Sequence, residues 1–324
     1  MRVQPRSVSI ALLLGTSTLA GLAAPARAAA PPTFWGYWGD GKAELDGYAL
    51  TEPRYGQQRH GTAVMIFVTE DFSDSARVKA DPGKHPAADV YPVLKLNFVR
   101  DFQTGIYDYS LLGSVFARVA DGFPWVKTSF SSREWCGHVY QQWLARADNK
   151  TMEGALHSYF DGEADAAPTL PLPDGGVLED TLPILLRGLR GDYLPAGGSR
   201  TVPLLPSSMR ARFEHKPQMW GEATIRRAGS TSVVASALGK VEAVSYVVEE
   251  KGGPTVSWTI EAAAPHRILA WHSTSGEAGT LLGSTRLPYW ALHDEGGEKL
   301  LKQLGLPVPG SGSVGGGAGR VVHH

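Results

Sequence analysis

Short apolar runs separated by turn-forming residues constrain the fold of this chain more than any other feature. Residues 62–68 form a continuous apolar run that is short enough for a strand buried on both faces. Residues 93–99 and 107–119 mix apolar and polar positions as antiparallel strands do. Because the chain also holds 38 Gly and 22 Pro, with few long apolar helical stripes, the sequence predicts a mainly β protein.

The predicted strands follow one another as hairpins, which indicates a large antiparallel meander. A loop rich in Gly and Pro at residues 193–206 divides it, so the meander forms either one long curved sheet or two β-rich halves, 29–195 and 205–305. The pattern leaves open whether the halves share one core. Two short covering helices are predicted, at residues 180–189 and 295–304, and residues 209–227 are predicted to resume the strands.

The N-terminus has the pattern of a secretory leader. Arg2 and Arg6 precede an uncharged, mostly apolar stretch at 8–22, and the small residues Ala26 and Ala28 follow where a signal peptidase reads. We therefore expect a signal peptide over residues 1–28 and a periplasmic or secreted protein; the alternative is a buried N-terminal helix. No later segment is long enough for a transmembrane helix. Residues 306–324, rich in Gly, predict a disordered tail.

Charge and cysteine content exclude several classes of protein. The formal net charge of the chain is −1, which gives no electrostatic footprint for nucleic acid. The single cysteine, Cys136, cannot form an internal disulfide, so the fold must depend on its apolar core. The sequence contains no P-loop and no dinucleotide fingerprint, and no cofactor is predicted.

Six segments together carry a family resemblance: residues 38–44, 68–73, 93–97, 102–107, 134–140 and 159–165. They resemble the signature segments of a group of uncharacterised exported bacterial proteins, many of them lipoproteins, which commonly carry the name septum formation inhibitor Maf. That name fits this chain poorly, because genuine Maf proteins are cytoplasmic nucleotide pyrophosphatases with an α/β fold. No cysteine follows the apolar leader, so the lipid anchor of many members is missing. The resemblance implies an envelope location and supplies no mechanism.

Residues 134–140 hold the candidates for chemistry. If this segment is a strand, Glu134, Cys136 and His138 share one face and could activate a thiolate or bind a metal. The acids of 161–165 alternate on a second predicted strand and could complete such a site; they are Asp161, Glu163 and Asp165. The alternative is a packed strand with a buried thiol, accompanied by acids on a solvated face. The alternating polar residues at positions 40–46 are likewise predicted to face solvent.

Aromatic residues suggest a different function. The chain holds nine Trp and eleven Tyr, and a curved sheet lined with such side chains could bind a lipid chain, a sugar or a peptide. Candidate binding residues are Tyr107, Trp135 and Tyr140, and the strand tryptophans include Trp258 and Trp271. Two hypotheses follow: an exported, non-enzymatic protein that binds an envelope ligand or partner, and a metal- or thiol-dependent hydrolase that uses Cys136 and His138.

Overall fold

A computed structural model describes residues 32–146, 148 and 150–309 of the chain. The predicted signal peptide and the part of the predicted tail from residue 310 onward lie outside the described residues. The first seven strands, after helix α1 (Pro32–Trp38), are β1 (Ala43–Arg54), β2 (Gln57–Ser73), β3 (Val78–Lys79), β4 (Val90–Thr104), β5 (Tyr107–Arg118), β6 (Trp125–Glu134) and β7 (Gly137–Ala145). The next elements are β8 (Thr151–Ser158), β9 (Thr169–Pro171), β10 (Val177–Leu178), α2 (Leu182–Leu185), β11 (Ser199–Leu205), α3 (Ser208–Phe213) and β12 (Gly221–Arg227). The last strands are β13 (Ser232–Ser236), β14 (Gly239–Glu250), β15 (Thr255–Glu261), β16 (Ile268–Ser273) and β17 (Ala278–Leu287).

All these strands belong to one sheet, which confirms the predicted mainly β, antiparallel fold and the single long curved sheet. β1 lies in the middle, between β2 and β17. On one side the sheet continues from β2 through β4 to β9, and on the other from β17 back through β14, β12 and β11 to β10. The last pairing, of β10 with β11, is parallel, and the others are antiparallel. The N-terminal strand therefore joins the two predicted halves.

The two ends of the sheet approach each other. Trp143 of β7 and Met152 of β8, near one end of the sheet, pack with Leu178 of β10 and Leu205 of β11, at the other end, in one buried cluster. The indole Nε1 of Trp220 donates a hydrogen bond of 2.7 Å to the carbonyl oxygen of Pro171. Because the ends meet in this way, the sheet curls around a concave interior.

Both halves contribute to a single main core on this concave side, which answers the question that the sequence left open. The core joins Phe67 and Leu96 of the first half to Ile225, Tyr246 and Trp271 of the second. Large apolar side chains from both halves are thus removed from water together, and this burial is the principal stabilisation available to a chain without an internal disulfide.

The predicted covering helices exist but are shorter or differently wound. Instead of a helix over 180–189, a 3-10 turn (Glu179–Thr181) leads into α2, and Gly188 follows with a positive φ of 61° that ends the helical path. Residues 297–304 form a 3-10 helix (Gly297–Leu304), which ends at Gly305 as predicted. It packs on the convex face of β1, where the carbonyl oxygen of Leu304 leaves no room for a Cβ at Gly47.

Strand β2 shows why residues 62–68 are apolar throughout. Ala63 and Phe67 belong to the main core, whereas Val64 and Ile66 pack on the opposite face with the cluster that contains Leu304. The prediction of a strand buried on both faces is therefore confirmed.

The prediction of strand from residue 209 is wrong, because α3 occupies 208–213 and β12 begins only at Gly221. Ser207 caps α3: its Oγ accepts a hydrogen bond of 3.1 Å from the backbone N–H of Arg210. Met209 reaches the main core from α3, as Ile184 does from α2. Both helices therefore fill the concave interior.

A buried ion pair holds α2 against the central strand. Glu44 and Asp46 of β1 are fully buried, so the prediction that they face solvent is wrong, although Asp40 and Lys42 are exposed. The physical reason is that β1 is the central strand, covered on its convex face by the 3-10 helix and on its concave face by the interior. Arg187, just after α2, places Nη1 2.7 Å from Oε1 of Glu44.

The other bonds of Arg187 extend this contact to further elements. Its Nε donates to the carbonyl oxygen of His266 at 2.9 Å and its Nη2 to that of Pro265 at 2.8 Å. The other oxygen of Glu44 accepts a hydrogen bond of 2.6 Å from the hydroxyl of Tyr37 in α1. Burial, together with the negative charge of Glu44, raises the pKa of Asp46 well above its usual range, against the opposing effect of Arg187. The cluster therefore favours a protonated Asp46 beside the Glu44–Arg187 pair.

Among the described residues no helix is both long enough and apolar enough to cross a membrane.

Substituting Arg187→Met should lower the free energy of unfolding by about 3–5 kcal/mol, because it leaves Glu44 charged and buried without its cation. The measurement is urea unfolding followed by tryptophan fluorescence. Arg146→Met is the matched control: its ion pair with Glu153 is half exposed, and its loss should change stability by less than about 0.5 kcal/mol.

If Arg187→Met does not fold, the double variant Glu44→Met/Arg187→Met decides the matter. It removes both charges at once and should be more stable than Arg187→Met alone. A double variant that is less stable than the single one would contradict the ion-pair explanation.

Candidate functional site: a cavity on the concave face

A cavity of about 60 Å³ lies between the concave face of the sheet and the segments that lead into α2 and α3. Both halves of the sheet line it. Its apolar lining comes mainly from Leu96, Phe98, Val115, Phe130, Met209, Val256, Trp258 and Trp271. The cavity therefore lies inside the curled sheet, where residues of both halves meet the segments that lead into α2 and α3.

Three aromatic rings form one wall. Trp258 and Trp271 are cross-strand neighbours in β15 and β16, and their rings stack with centroids 6.0 Å apart. Phe98 of β4 meets Trp271 edge to face at 5.4 Å from the other half of the sheet. Tertiary closure of the sheet, rather than a local sequence motif, brings these rings together.

Two hydrogen-bond donors in this wall have no protein acceptor within the described residues. They are Nε of Arg100 and Nε1 of Trp258, and both atoms are buried. Leaving a buried donor unpaired costs about 1–3 kcal/mol. Because Arg100 and Trp258 both line the cavity, an acceptor group that enters it comes near two unpaired donors.

The remaining polar groups of Arg100 and Trp271 meet at one carboxylate. Nη2 of Arg100 lies 3.3 Å from Oε1 of Glu277, and the same oxygen accepts a hydrogen bond of 2.9 Å from Nε1 of Trp271. The guanidinium carbon of Arg100 lies 3.7 Å from the centroid of the Phe98 ring. These contacts fix the guanidinium against the aromatic wall.

Glu52 is a buried acid beside this pair, with 2% of its surface exposed. Its desolvation and the neighbouring charge of Glu277 raise its pKa to about 8, while Arg100 and Arg54 act in the opposite direction. Its Oε2 has no hydrogen-bond partner within the described residues. At neutral pH Glu52 is thus mostly protonated and adds little negative charge to this region.

The segment that covers the cavity is locked by acids at the start of α2. Glu179 accepts hydrogen bonds of 2.8 Å from the backbone N–H of Ser207 and from Nη2 of Arg210, and Asp180 accepts one of 3.1 Å from the N–H of Ser208. Arg210 also contacts Glu250 of β14 at 2.6 Å. The start of α3 is therefore held in place over the cavity.

The structure does not bring the predicted thiol site together. Residues 134–140 are a hairpin and not one strand: β6 ends at Glu134, Trp135 and Cys136 form the turn, and β7 begins at Gly137. Because Glu134 pairs with Gly137 and Arg133 with His138, the predicted common face does not exist. Cys136 is exposed, and the side chain of Glu134, its nearest acid, raises the pKa of its thiol. This environment disfavours the thiolate that nucleophilic chemistry needs.

The acids of 161–165 are also not on a strand, because β8 ends at Ser158 and a turn follows. Glu163 pairs with Arg212 at 3.0 Å and with Nδ1 of His215 at 2.7 Å, whereas Asp165 pairs with His157 at 3.2 Å and Asp161 is exposed on the turn. In the described part of the chain, no group of three or more His, Cys, Asp or Glu side chains is placed to hold a metal ion. The acids therefore serve local pairing, and Glu163 ties this turn to the end of α3.

The predicted aromatic candidates lie away from the cavity. Trp135 is exposed and donates a hydrogen bond of 3.0 Å to Asp108, Tyr140 stacks on His157, and Tyr107 packs beside Tyr109. Among the aromatic residues singled out from the sequence, Trp258 and Trp271 do line the cavity. Sequence reasoning missed Arg100; the signal was an arginine in register with the core positions Leu96 and Phe98 of β4.

Comparisons with known proteins leave the family open. No family model matches the chain, and no curated protein matches it. The solved structures that are similar to it include a beta-barrel-like protein of Domain of Unknown Function DUF1849 from Brucella abortus. That similarity has a TM-score of 0.45 at 13% identity and covers 75% of this chain and 97% of that chain. The Maf label and the export predicted above stay predictions.

The raised pKa of Glu52 makes stability depend on pH. Between its usual pKa of 4.5 and its folded value of about 8, the folded protein retains a proton that the unfolded chain releases. This group therefore makes stability fall by about 1.4 kcal/mol per pH unit as the pH rises through that window, and the loss levels off above it.

Urea unfolding of the protein and of Glu52→Gln across this pH range tests the assignment, because the difference between the two should grow with pH and favour Glu52→Gln. Glu153→Gln, at a half-exposed carboxylate, is the control for replacing an acid by an amide. Parallel profiles for the protein and Glu52→Gln would show that Glu52 does not carry this proton.

Proposed function

We propose that this protein is a non-enzymatic binding protein that holds a small ligand in the cavity on its concave face. The observation that carries the proposal is the pair of buried donors without protein acceptors, Arg100 Nε and Trp258 Nε1, in a wall that is otherwise aromatic and apolar. A ligand that fits has a hydrogen-bond acceptor at one end and a short apolar part.

The guanidinium of Arg100 favours a carboxylate as this acceptor, and the lining acids Glu179, Asp180 and Glu277 are each already bonded to a protein donor. The guanidinium of Arg100 prefers a planar anionic partner, and Trp258 can donate to a second oxygen of the same group. Glu277 already neutralises part of the charge of Arg100, whereas a protonated Glu52 does not repel an anion. The apolar part of the ligand then lies against Phe98 and Trp271.

The cavity volume limits the size of the ligand. By the same measure one water molecule needs roughly 10–15 Å³, so a space of about 60 Å³ holds a group of a few heavy atoms. Short-chain carboxylates therefore match the closed cavity. A longer ligand needs the covering segment at Ser207 and Met209 to move outward.

We also propose that the protein is exported and belongs to the envelope family that its sequence segments resemble. The support is the leader pattern of Arg2, Arg6 and the apolar residues 8–22, followed by Ala26 and Ala28. N-terminal sequencing of the protein from its native cells should read from Ala29. A protein that still begins at Met1 would contradict export through this leader.

A side chain grown into the cavity should abolish binding. Gly113 lines the cavity, and a Cβ added there would have its nearest neighbour, the carbonyl oxygen of Phe98, at 4.0 Å, so the fold accepts it. Gly113→Val should weaken binding of acetate, propionate and butyrate by at least about tenfold, as measured by calorimetric titration. Gly221→Val, at a strand glycine with similar free space outside the cavity, is the control and should bind normally.

Trp258→Phe tests the donor itself, because it keeps an aromatic ring and removes the N–H. We expect a loss of carboxylate affinity of about fivefold to tenfold with little change for 1-butanol. Equal carboxylate binding by the protein, Gly113→Val and Trp258→Phe, or no binding by any of them, would refute the proposal.

A further inference from the structure

The topology places four successive turns of the first half at one end of the molecule. Strand direction alternates along the meander, so the turns β1–β2, β4–β5 and β6–β7 lie at the same end as the segment that leaves β8. Each turn presents one large, exposed apolar side chain. These are Tyr55 (56% exposed), Ile106 (81%), Trp135 (66%) and Tyr159 (69%), which we call the apolar rim.

The polar atoms of Tyr55 and Trp135 form hydrogen bonds with other residues of the protein. The hydroxyl of Tyr55 lies 2.7 Å from that of Tyr109, and Nε1 of Trp135 donates to Asp108. Asp108 is also paired with Arg133 at 3.2 Å, so the charges behind the tip are already matched. The hairpin turns at residues 55–56, 105–106 and 135–136 contain no charged residue. The outermost surface of these turns is therefore apolar or aromatic and electrically neutral.

The backbone at the first tip is unusual for a solvent-exposed turn. Tyr55 and Gly56 have φ values of 56° and 71°, a combination that favours Asn or Gly at both positions. A tyrosine in the left-handed region is sterically disfavoured. The turn keeps a large aromatic side chain here although a small polar one suits the backbone better.

The spacing of the tips indicates which kind of partner they fit. Neighbouring hairpin tips are two strands apart, or about 10 Å, which leaves them as separate prongs. A protein partner needs a matching pit for each prong, whereas the fluid interfacial region of a bilayer closes around every prong without a matching shape. Tyr and Trp are also the side chains that settle at the level of lipid headgroups.

We propose that the apolar rim docks the protein on the surface of a zwitterionic lipid bilayer, with Ile106 and Trp135 inserted below the headgroups. The three neutral hairpin tips match headgroups without net charge, and the paired Asp108 and Arg133 stay outside, as does the exposed Asp161 of the turn that follows Tyr159. On the other half of the sheet, the turns at this end are polar, Lys-Gly-Gly at 251–253 and Thr-Ser-Gly at 274–276. The first half of the sheet therefore makes the contact.

The single cysteine allows a direct test, because Cys136 is exposed within the rim. An environment-sensitive fluorophore attached to Cys136 of the full chain should shift to the blue with phosphatidylcholine vesicles and be quenched by acyl-chain-brominated phosphatidylcholine. The control carries the label at position 233 through Val233→Cys in a Cys136→Ser background. Val233 is 68% exposed on β13, at the opposite end of the molecule, and its label should not respond.

Ile106→Asn should weaken the vesicle interaction reported by the Cys136 label by about tenfold, while carboxylate binding in the cavity stays unchanged. Vesicle binding that leaves the Cys136 label unquenched, or equal quenching at both positions, overturns the proposal. So does self-association in sedimentation velocity without vesicles that Ile106→Asn abolishes, because the rim then joins copies of the chain. If the protein binds carboxylate normally but shows no vesicle response, the proposal for the apolar rim fails and the proposal for the cavity stands.

Discussion

The ion pair between Arg187 and Glu44 organises the centre of this protein. Glu44 lies on β1, the strand that joins the two halves of the sheet, and Arg187, just after α2, pairs with it. The same guanidinium binds two carbonyl oxygens of the loop between β15 and β16. A buried pair of this kind adds little net stability compared with apolar residues, but breaking it is expensive. We infer that its main effect is specificity: only one placement of α2 pairs the buried charges.

The concave face of β1 carries buried acids near both ends, and their surroundings differ. Near its start, Glu44 pairs with Arg187, and Asp46 lies beside this pair with neither carboxylate oxygen hydrogen-bonded within the described residues. Near its end, Glu52 approaches Arg100 and Glu277, where buried donors lack acceptors. Both clusters therefore contain buried polar atoms without a hydrogen-bond partner among the described residues. The second cluster borders the cavity, which Arg100 and Glu277 line, and this position makes the cavity, rather than the ion pair, the candidate for ligand binding.

Sequence patterning predicted the features that depend on local alternation and failed where tertiary contacts decide. The double-sided burial of residues 62–68 follows from their unbroken apolar character, and the antiparallel meander follows from the hairpins. The segment 134–140 was interpreted as one strand because polar and aromatic residues alternate through its two-residue turn as they do through a strand. Glu44 and Asp46 were predicted to face solvent because alternating acids usually mark a solvated face. The cation beside them, Arg187, lies more than 140 residues away along the chain, so local patterning does not reveal it. The cavity was not predictable, since Phe98 and Trp271 meet only after the sheet curls.

The two ends of the long strands of the first half carry different features. The sealed ion pair lies near the start of β1, whereas Glu52 and the turn that carries Tyr55 lie near its end. The β4–β5 hairpin repeats this order, because Arg100 lines the cavity and Ile106, at the tip, is six residues further, or about 20 Å along an extended chain. One rigid hairpin thus contributes to both the cavity and the rim. Contact at the rim would bring the cavity to within about that distance of a lipid surface, so a carboxylate leaving the bilayer would have a short path to Arg100.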